Sequence, residues 1–273
     1  MIINGKKLAG EILKELKKEI KKKGLKLKLA ATLINQSGGL RKFVELKKKA
    51  AESLGIGFDL YEFPENVSEK KLLTAIKNIS EAKNINGVLV ELPLPSHINR
   101  QEILDAIPVG KDVDILSSNA QDKFYKGDFR VLPPAVEAVK IILEKYKINL
   151  KNKKVAVFGQ GILVGKPISF WFLKNGANVT TIDEFTKNPE KFSSKADIIV
   201  SGVGKPNLIN RKMVKRGVII FDFGYENLEG KMVGDVDSKS VSKKAKLITP
   251  VPGGVGPLVV AAVLKNLVEL SKK

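Results

Sequence analysis

The stretch VAVFGQGILVG, residues 155–165, decides the fold of this 273-residue chain. Four β-prone apolar residues lead directly into three glycines, Gly159, Gly161 and Gly165, and helical spacing follows to about Lys174. A buried strand that turns through glycines into a helix is typical of sites where backbone N–H groups face a pyrophosphate. The spacing G-x-G-x-x-x-G is one residue longer than the commonest fingerprint, so an ordinary strand-to-helix turn stays open on this evidence alone.

The following strand adds an acidic pair to the glycine turn. The run NVTTI, residues 178–182, leads into Asp183 and Glu184. An acid at this place can accept hydrogen bonds from the ribose hydroxyls of an adenosine, and it would repel a 2′-phosphate. The sequence therefore predicts a dinucleotide site, and it favours NAD over NADP.

Strand and helix patterns alternate along the whole chain. Further strands are expected at 29–34, 58–63, 87–92, 197–200, 218–223 and near Leu247, and helices at 7–23, 41–54, 69–81, 99–106, 134–147 and 257–270. This alternation indicates an α/β fold with mostly parallel sheets covered by helices. We expect two domains, with the boundary within the helix after Pro133 and a doubly wound, Rossmann-like dinucleotide layout in the second.

The charge balance leaves three kinds of explanation open. Lys and Arg outnumber Asp and Glu by 48 to 29, which gives a net charge of +19. Such a surplus is compatible with nucleic acid, with anionic metabolites drawn in by the protein's field, or with a lysine-rich solvated surface. The densest run, 17–28, continues an amphipathic helix, and no nucleic-acid motif accompanies the lysines. Specific nucleic-acid binding is therefore not expected.

Residue usage also limits metal and membrane functions. The chain has no cysteine, and its single histidine, His97, is read as structural, so we expect no metal site. No segment approaches the apolar length of a signal peptide or a membrane span, so we expect a cytoplasmic protein without a membrane partner.

Several longer stretches carry a family resemblance. VLVELPLPSHI (88–98), KDVD (111–114), TPVPGGVGP (249–257), SGVGKPNLI (201–209) and VIIFDFGYENLEGKMVGDVD (218–237) resemble the bifunctional methylenetetrahydrofolate dehydrogenase/cyclohydrolase family over essentially the whole chain. The resemblance implies oxidation of 5,10-methylenetetrahydrofolate to the methenyl compound with a nicotinamide cofactor, followed by hydrolysis to 10-formyltetrahydrofolate. It also implies an α/β substrate domain, 1–136 plus 253–273, into which the dinucleotide domain, 137–252, is inserted, and a homodimer that meets through the dinucleotide domains.

The resemblance places the family's catalytic lysine at Lys47, within FVELK, and puts Phe43 where the family has tyrosine. On a helix these two residues share a face. The ring of Phe43 could stack on the pterin of the substrate, but the tyrosine hydroxyl is missing. From the residues alone, Lys47 is a surface lysine in a KKK run and Phe43 is a core residue.

Glu91 replaces the family's usual glutamine, and its neighbours Val90 and Leu92 join it in the implied substrate site. A carboxylate near Lys47 would favour the charged form of that lysine and weaken it as a base. Alternatively, Glu91 itself accepts a proton, or it is only a polar residue at a strand end. The sequence does not choose between these interpretations.

Asp114, from KDVD, corresponds to the family's substrate-binding acid, and we expect it to act in catalysis with Lys47 and Glu91. Without the resemblance, Asp112 and Asp114 would be interpreted as turn residues. The family's following glycine is Ile115 here, so the sequence leaves the geometry of this loop open. The loop that would close over the substrate comprises Pro252, Gly253, Gly254, Val255 and Gly256. A rigid connection into the last helix is equally compatible with this loop.

The cofactor-binding residues implied by the resemblance are Gly159, Gln160, Gly161, Gly165, Asp183, Glu184 and Tyr225. NADP-dependent relatives tend to have basic or hydroxyl residues at positions 160 and 184, so Gln160 and Glu184 agree with a preference for NAD.

Two alternatives to the bifunctional enzyme stay open. One is a dehydrogenase whose cyclohydrolase is weakened by Phe43, Glu91 and Ile115, and the other is a binding relative without catalysis. In either case the surplus positive charge suits folates, whose glutamate tails are anionic, as partners.

Overall fold

The expected alternation of helix and strand is present in the computed structural model, which describes residues 1–34, 38–228 and 230–272. The helices are α1 (Gly5–Lys23), α2 (Gly38–Ser53), α3 (Glu69–Glu81), α4 (Arg100–Asp105), α5 (Ser118–Lys126), α6 (Pro134–Lys145), α7 (Gly165–Lys174), α8 (Glu190–Ser193), α9 (Ser238–Val241) and α10 (Val255–Leu270). The strands are β1 (Lys28–Ile34), β2 (Gly57–Phe63), β3 (Gly87–Val90), β4 (Lys154–Phe158), β5 (Asn178–Ile182), β6 (Ile198–Ser201), β7 (Ile219–Asp222), β8 (Glu226–Leu228), β9 (Lys231–Val233) and β10 (Leu247–Ile248).

The chain forms two compact units. The first, which we call the Lys47 unit, comprises Gly10–Pro134 and Val260–Lys273. The second, the glycine-turn unit, comprises Met1–Ala9 and Ala135–Val259. The predicted class, two α/β domains with mostly parallel sheets, is confirmed.

The Lys47 unit is built on a three-stranded parallel sheet in the order β2-β1-β3. The central strand β1 reads KLAATLI and is buried over six of its seven residues, as expected for a parallel strand covered on both faces. Leu29 and Leu89 of the sheet lie in one core cluster with Leu16 of α1 and Leu264 and Leu267 of α10. Burying each such side chain stabilises the fold by about 1.5–3 kcal/mol.

The glycine-turn unit has a five-stranded parallel sheet in the order β10-β7-β6-β4-β5. Parallel pairing brings the carboxyl ends of all five strands to one edge, where ligands bind in doubly wound folds. The strands β8 and β9 form a separate antiparallel hairpin. The loops that follow β4, β5, β6 and β7 are therefore neighbours at the edge that carries the glycine turn.

Two of the differences from the sequence predictions have a clear physical reason. Strand β3 ends at Val90 rather than residue 92, since the chain reaches Pro93, which has no N–H to donate. Helix α5 was not predicted because its polar sequence buries only Ala120 and Phe124. It is capped by the Ser117 side chain at its start and by left-handed Gly127 at its end.

Within the described ranges, no helix combines the length and apolar character needed to cross a bilayer.

Candidate functional site

Lys47 and Glu91 form a buried ion pair in the Lys47 unit. Helix α2 carries Lys47, and Glu91 follows the end of β3, where its N–H still donates to the Thr32 carbonyl of β1 at 2.9 Å. Lys47 Nζ donates to Glu91 Oε1 at 2.6 Å. The two residues are only 9% and 6% exposed, although Lys49, two positions later in the KKK run, is exposed. Two buried charges persist only when each compensates the other, so the pair behaves as one unit.

The KDVD segment is anchored by its first two side chains. Asp112 is almost fully buried, and its Oδ2 accepts hydrogen bonds from the N–H of Leu116, the N–H of Ser117 and the Ser117 hydroxyl at 2.7–2.9 Å. Lys111 Nζ donates to two carbonyl groups at the end of α3, at 2.7 and 2.8 Å. These contacts fix the backbone on both sides of Asp114.

Ile115 retains the backbone conformation of a glycine. Its φ is +58°, in the left-handed region that costs a side-chain-bearing residue roughly 1–2 kcal/mol. Its side chain is only 5% exposed, and burial of an isoleucine contributes about 1.5–3 kcal/mol. The apolar contacts therefore offset the backbone strain. The geometry of this loop is thus a left-handed turn that carries a strained isoleucine.

Asp114 is electrostatically coupled to the ion pair. Burial raises the pKa of its carboxyl to about 6, although the charge of Lys47 lowers the pKa and the charges of Glu91 and Asp112 raise it further. The side chain nevertheless keeps part of its surface accessible. A partly accessible carboxyl that titrates near neutral pH can accept hydrogen bonds when ionised and donate a proton when neutral. The structure thus brings Lys47, Glu91 and Asp114 into one electrostatic cluster, which we call the Lys47 cluster.

The other expected substrate residues divide into two sets. Phe43 is half-buried one helical turn before Lys47, Leu92 is partly exposed, and Val90 is buried. Residues 252–256 belong instead to the glycine-turn unit, where the Gly5 N–H donates to the Gly253 carbonyl at 2.9 Å. A Cβ on Gly5 would lie 1.7 Å from the Gly254 oxygen, so this loop is closely packed against the start of α1.

The glycine turn has two glycines fixed by packing and one facing open space. Gly159 has φ +81°, and a Cβ on Gly165 would lie 1.8 Å from the Gly159 oxygen. A Cβ on Gly161 would meet no described heavy atom within 4 Å. Helix α7 begins here without a side-chain cap. The Lys166 N–H donates to the Gly161 carbonyl at 3.1 Å, and Pro167 has no N–H. Among the first three residues of this helix, the Gly165 N–H therefore remains available to an anion. Gln160 points an amide donor back to the Gly159 carbonyl at 2.8 Å. These features fit the pyrophosphate of a dinucleotide.

The acidic pair lies at the end of β5, the strand beside β4. Asp183 and Glu184 are both exposed. Asp183 Oδ1 accepts hydrogen bonds from the Phe185 N–H at 3.1 Å and the Thr186 hydroxyl at 2.8 Å, which form a tight local turn. Among the described residues, no hydrogen bond occupies Oδ2. Tyr225, which follows β7, is half-buried, and burial raises the pKa of its hydroxyl.

The sequence did not identify Asp235 and Asp222, which organise the same edge. Asp235 Oδ2 accepts from the Ser201 hydroxyl at 2.6 Å and the Val203 N–H at 2.8 Å, and its Oδ1 accepts from the Lys205 N–H at 2.8 Å. This fixes the loop after β6. Asp222 accepts three backbone N–H groups, yet burial, helped by the charge of Asp235, raises its pKa to about 6. The only available signal was the GDVD segment, which spacing alone could not assign to a partner.

His97 belongs to the Lys47 unit. Its Nε2 is 3.0 Å from the Val67 carbonyl, a contact that joins two loops. In the described part of the chain, no group of three or more His, Cys, Asp or Glu side chains is placed to hold a metal ion.

Family models match both parts of the chain. The model described as tetrahydrofolate dehydrogenase/cyclohydrolase, catalytic domain, covers residues 3–114. The model described as tetrahydrofolate dehydrogenase/cyclohydrolase, NAD(P)-binding domain, covers residues 133–273.

Relatives match over nearly their full length. The chain is 43% identical over 275 residues to the "Bifunctional protein FolD" of Nautilia profundicola, covering 99% of this chain and 97% of that one. The crystal structure of the bifunctional methylenetetrahydrofolate dehydrogenase/cyclohydrolase from Campylobacter jejuni superposes with a TM-score of 0.94 at 37% identity, covering 99% and 98%. The Trypanosoma brucei enzyme, solved with NADP and an inhibitor, gives a TM-score of 0.94 at 29% identity, covering 99% and 96%.

Proposed function

Because this chain belongs to the tetrahydrofolate dehydrogenase/cyclohydrolase family, we propose that it catalyses both reactions of that family. It oxidises 5,10-methylenetetrahydrofolate to the methenyl compound and then adds water to give 10-formyltetrahydrofolate. The observation that carries this proposal is the Lys47 cluster: a buried amine coupled to two carboxyl groups, within the residues matched by the catalytic-domain model.

The chain's own residues have distinct tasks in this proposal. When bound, the nicotinamide supplies the hydride acceptor, while the glycine turn and the start of α7 hold the pyrophosphate. Asp114 binds the N–H groups of the pterin. In the hydrolysis step, Lys47 first passes a proton to Glu91 Oε1, 2.6 Å away, and then takes one proton from the attacking water. The second proton of that water moves to the ring nitrogen N5 as the bond between N5 and the one-carbon unit breaks, which gives the 10-formyl product. The substrate domain then comprises 1–136 plus 253–273 and the dinucleotide domain 137–252.

The cofactor in this proposal is NAD rather than NADP. The support is local: Asp183 and Glu184 are both exposed at the end of β5, so a 2′-phosphate there would meet two negative charges. Gln160 offers no positive charge to compensate them. An unphosphorylated ribose can instead donate a hydroxyl to Asp183.

The test is to follow formation of reduced cofactor from methylenetetrahydrofolate with NAD and with NADP. We expect kcat/KM to be at least about tenfold higher with NAD, a difference that corresponds to about 1.4 kcal/mol. Glu184→Ser should improve the use of NADP, whereas Glu190→Ser, which removes an equally exposed charge from α8, should not. Equal or better turnover of the wild type with NADP would refute the preference for NAD and leave the family activity standing.

A second candidate function is a dehydrogenase with a weakened cyclohydrolase. The 2.6 Å ion pair favours it, because Lys47 Nζ is held as the hydrogen-bond donor to Glu91 and does not face the attacking water as an acceptor. The two candidates predict opposite effects of Glu91→Gln on the decay of methenyltetrahydrofolate absorbance. A slower decay supports Glu91 as the proton acceptor, and a faster decay supports the weakened cyclohydrolase.

The proposal also includes three further properties: the protein forms a homodimer, is located in the cytoplasm and accepts polyglutamylated folates as substrates. Light scattering coupled to gel filtration would measure the mass in solution, and a mass near 30 kDa rather than 60 kDa would contradict the dimer, given a chain mass of 29.9 kDa.

A further inference from the structure

Three loops at the edge of the five-stranded sheet expose large apolar side chains. Phe185 follows β5 and is 82% exposed, Leu163 follows β4 and is 46% exposed, and Val203 follows β6 and is 45% exposed. The strands β6, β4 and β5 are consecutive in the sheet, so these loops are neighbours. Phe185 is the most exposed large apolar residue of the described chain. Aromatic side chains usually bury about 150–250 Å² of surface, so the exposed ring of Phe185 leaves a large apolar area in water.

The glycine turn connects these side chains. A Cβ on Gly159 would lie 3.2 Å from Val203 Cγ2, and a Cβ on Gly202 would lie 2.9 Å from Val164 Cγ1. The loops after β4 and β6 are therefore in direct contact. Asp235 fixes the second of these loops through the Val203 N–H.

The backbone that carries Phe185 is also held in place. Its N–H donates to Asp183 Oδ1, and the Thr186 hydroxyl donates to the same oxygen. One carboxylate oxygen thus organises the turn, while Oδ2 faces no donor among the described residues and is left for a ribose hydroxyl. In an adenosine the base is attached to the ribose carbon next to the 2′-hydroxyl carbon. A ribose that binds Asp183 through its 2′-hydroxyl therefore carries its base close to Asp183, and Phe185 lies two residues further along the same turn.

We propose that Phe185 is the base-stacking residue of this chain: its ring packs against the adenine of the dinucleotide and determines affinity for the adenylate half. This inference rests on the proposed function, since it takes the dinucleotide as the ligand. Phe185 recognises the base by its π face and carries no hydrogen-bonding group, so it selects for an aromatic base and not for one particular purine. Leu163 and Val203 are the exposed apolar residues of the two loops that meet at the glycine turn.

The experiment is calorimetric titration of ADP-ribose and NAD into the wild type and three variants. Phe185→Ala should weaken both ligands about tenfold, as expected for loss of a base–aromatic stack. Phe185→Tyr keeps the ring and should stay within about twofold of wild type by the same argument. Phe192→Ala, which removes an exposed phenylalanine from α8, should change neither affinity.

Two further readouts separate stacking from other effects. Nicotinamide hypoxanthine dinucleotide, which has a different purine with the same π face, should lose affinity in Phe185→Ala by the same factor as NAD. The kcat at saturating NAD and the KM for methylenetetrahydrofolate should be unchanged. Thermal unfolding of each variant without ligand verifies that the fold is intact. If Phe185→Ala unfolds, Phe185→Leu carries the test, because it keeps an apolar side chain without a π face and should still weaken both ligands.

Failure of this inference is distinguishable from failure of the proposed function. If the wild type binds ADP-ribose and NAD but Phe185→Ala binds them equally well, the stacking proposal alone is overturned. An equal loss in Phe192→Ala or in Phe185→Tyr also overturns it. If the wild type binds neither ligand, the dinucleotide function itself is wrong.

Discussion

The Lys47 cluster and the glycine turn use opposite building principles. The cluster consists of charged side chains that are mostly buried and hold one another at 2.6 Å or through longer electrostatic coupling. The glycine turn consists of backbone, with Gly161 facing open space and Asp183 exposed beside it. A mutation in the cluster therefore changes charge balance and proton transfer, whereas a mutation in the turn changes the space available to a ligand.

The largest effect is expected at the amine of the cluster. Lys47→Ala removes the base of the hydration step and should slow decay of methenyltetrahydrofolate by at least about 100-fold, the lower limit for loss of general acid–base catalysis. It also leaves Glu91 as an uncompensated buried charge, so the free energy of unfolding should fall by about 3 kcal/mol.

Two controls separate the effect on activity from the effect on stability. Lys49→Ala, at an exposed position in the same lysine run, should change neither the rate nor the stability. Adding Glu91→Gln to Lys47→Ala should restore stability but not activity. Recovery of both would show that Lys47 serves only the fold.

The next effect tests the glycine turn by a matched pair. Gly165→Ala places a methyl group 1.8 Å from the Gly159 oxygen, so the turn must shift, and we expect a loss of about 1–3 kcal/mol in unfolding free energy. Gly161→Ala meets no described atom and should leave stability unchanged, while its methyl group occupies the ligand space and weakens NAD binding. Denaturant unfolding and calorimetric titration measure the two outcomes. Unchanged NAD affinity in Gly161→Ala would contradict the assignment of this space to the pyrophosphate.

The smallest effect concerns the pH dependence of stability. The pKa of Asp114 is raised from its ordinary 3.8 to about 6 in the folded state. Neutral Asp114 contributes to the free energy of unfolding below about pH 4. This contribution is lost as the pH rises through about 6, because the folded state then carries an unfavourably buried charge. Asp114→Asn removes this dependence. From pH 4 to pH 7, the variant should therefore gain about 1–2 kcal/mol in unfolding free energy relative to wild type.

The measurement is a series of urea unfolding curves for both proteins across this pH range. Asp222, whose pKa is also about 6, contributes a change of the same sign in both proteins and cancels in the difference. A difference between the two proteins that stays constant with pH would contradict the assignment to Asp114.

Local patterns in the sequence predicted the elements and the glycine turn because their causes are local. Strand β4 and helix α7 follow from an apolar run and a glycine spacing within a few residues of each other. The family was confirmed for the same reason, since its signatures are ordered short segments. Strand β3 was predicted two residues too long, because the apolar residues on both sides of Glu91 suggested a strand to Leu92, although strand pairing stops at Val90.

Charge pairing and burial could not be predicted. Lys47 and Lys49 belong to the same run of letters, and only packing of α2 on the sheet makes the first buried. The partners of Asp235 lie 30–34 residues away along the chain, so no spacing rule could connect them. The left-handed conformation of Ile115 could not be predicted from the residue itself, since a β-branched side chain strongly favours negative φ.

The pairing of the first residues with β10 has a consequence for biosynthesis. The Ile3 N–H donates to the Ile248 carbonyl at 2.9 Å, and the Ile248 N–H donates to the Met1 carbonyl at 3.0 Å. The other unit likewise requires Val260–Lys273. Neither unit can be completed while a ribosome is still translating the middle of the message, so apolar surfaces of the nascent polypeptide stay uncovered until translation approaches residue 270. Chaperone dependence during expression should therefore be set by events late in elongation.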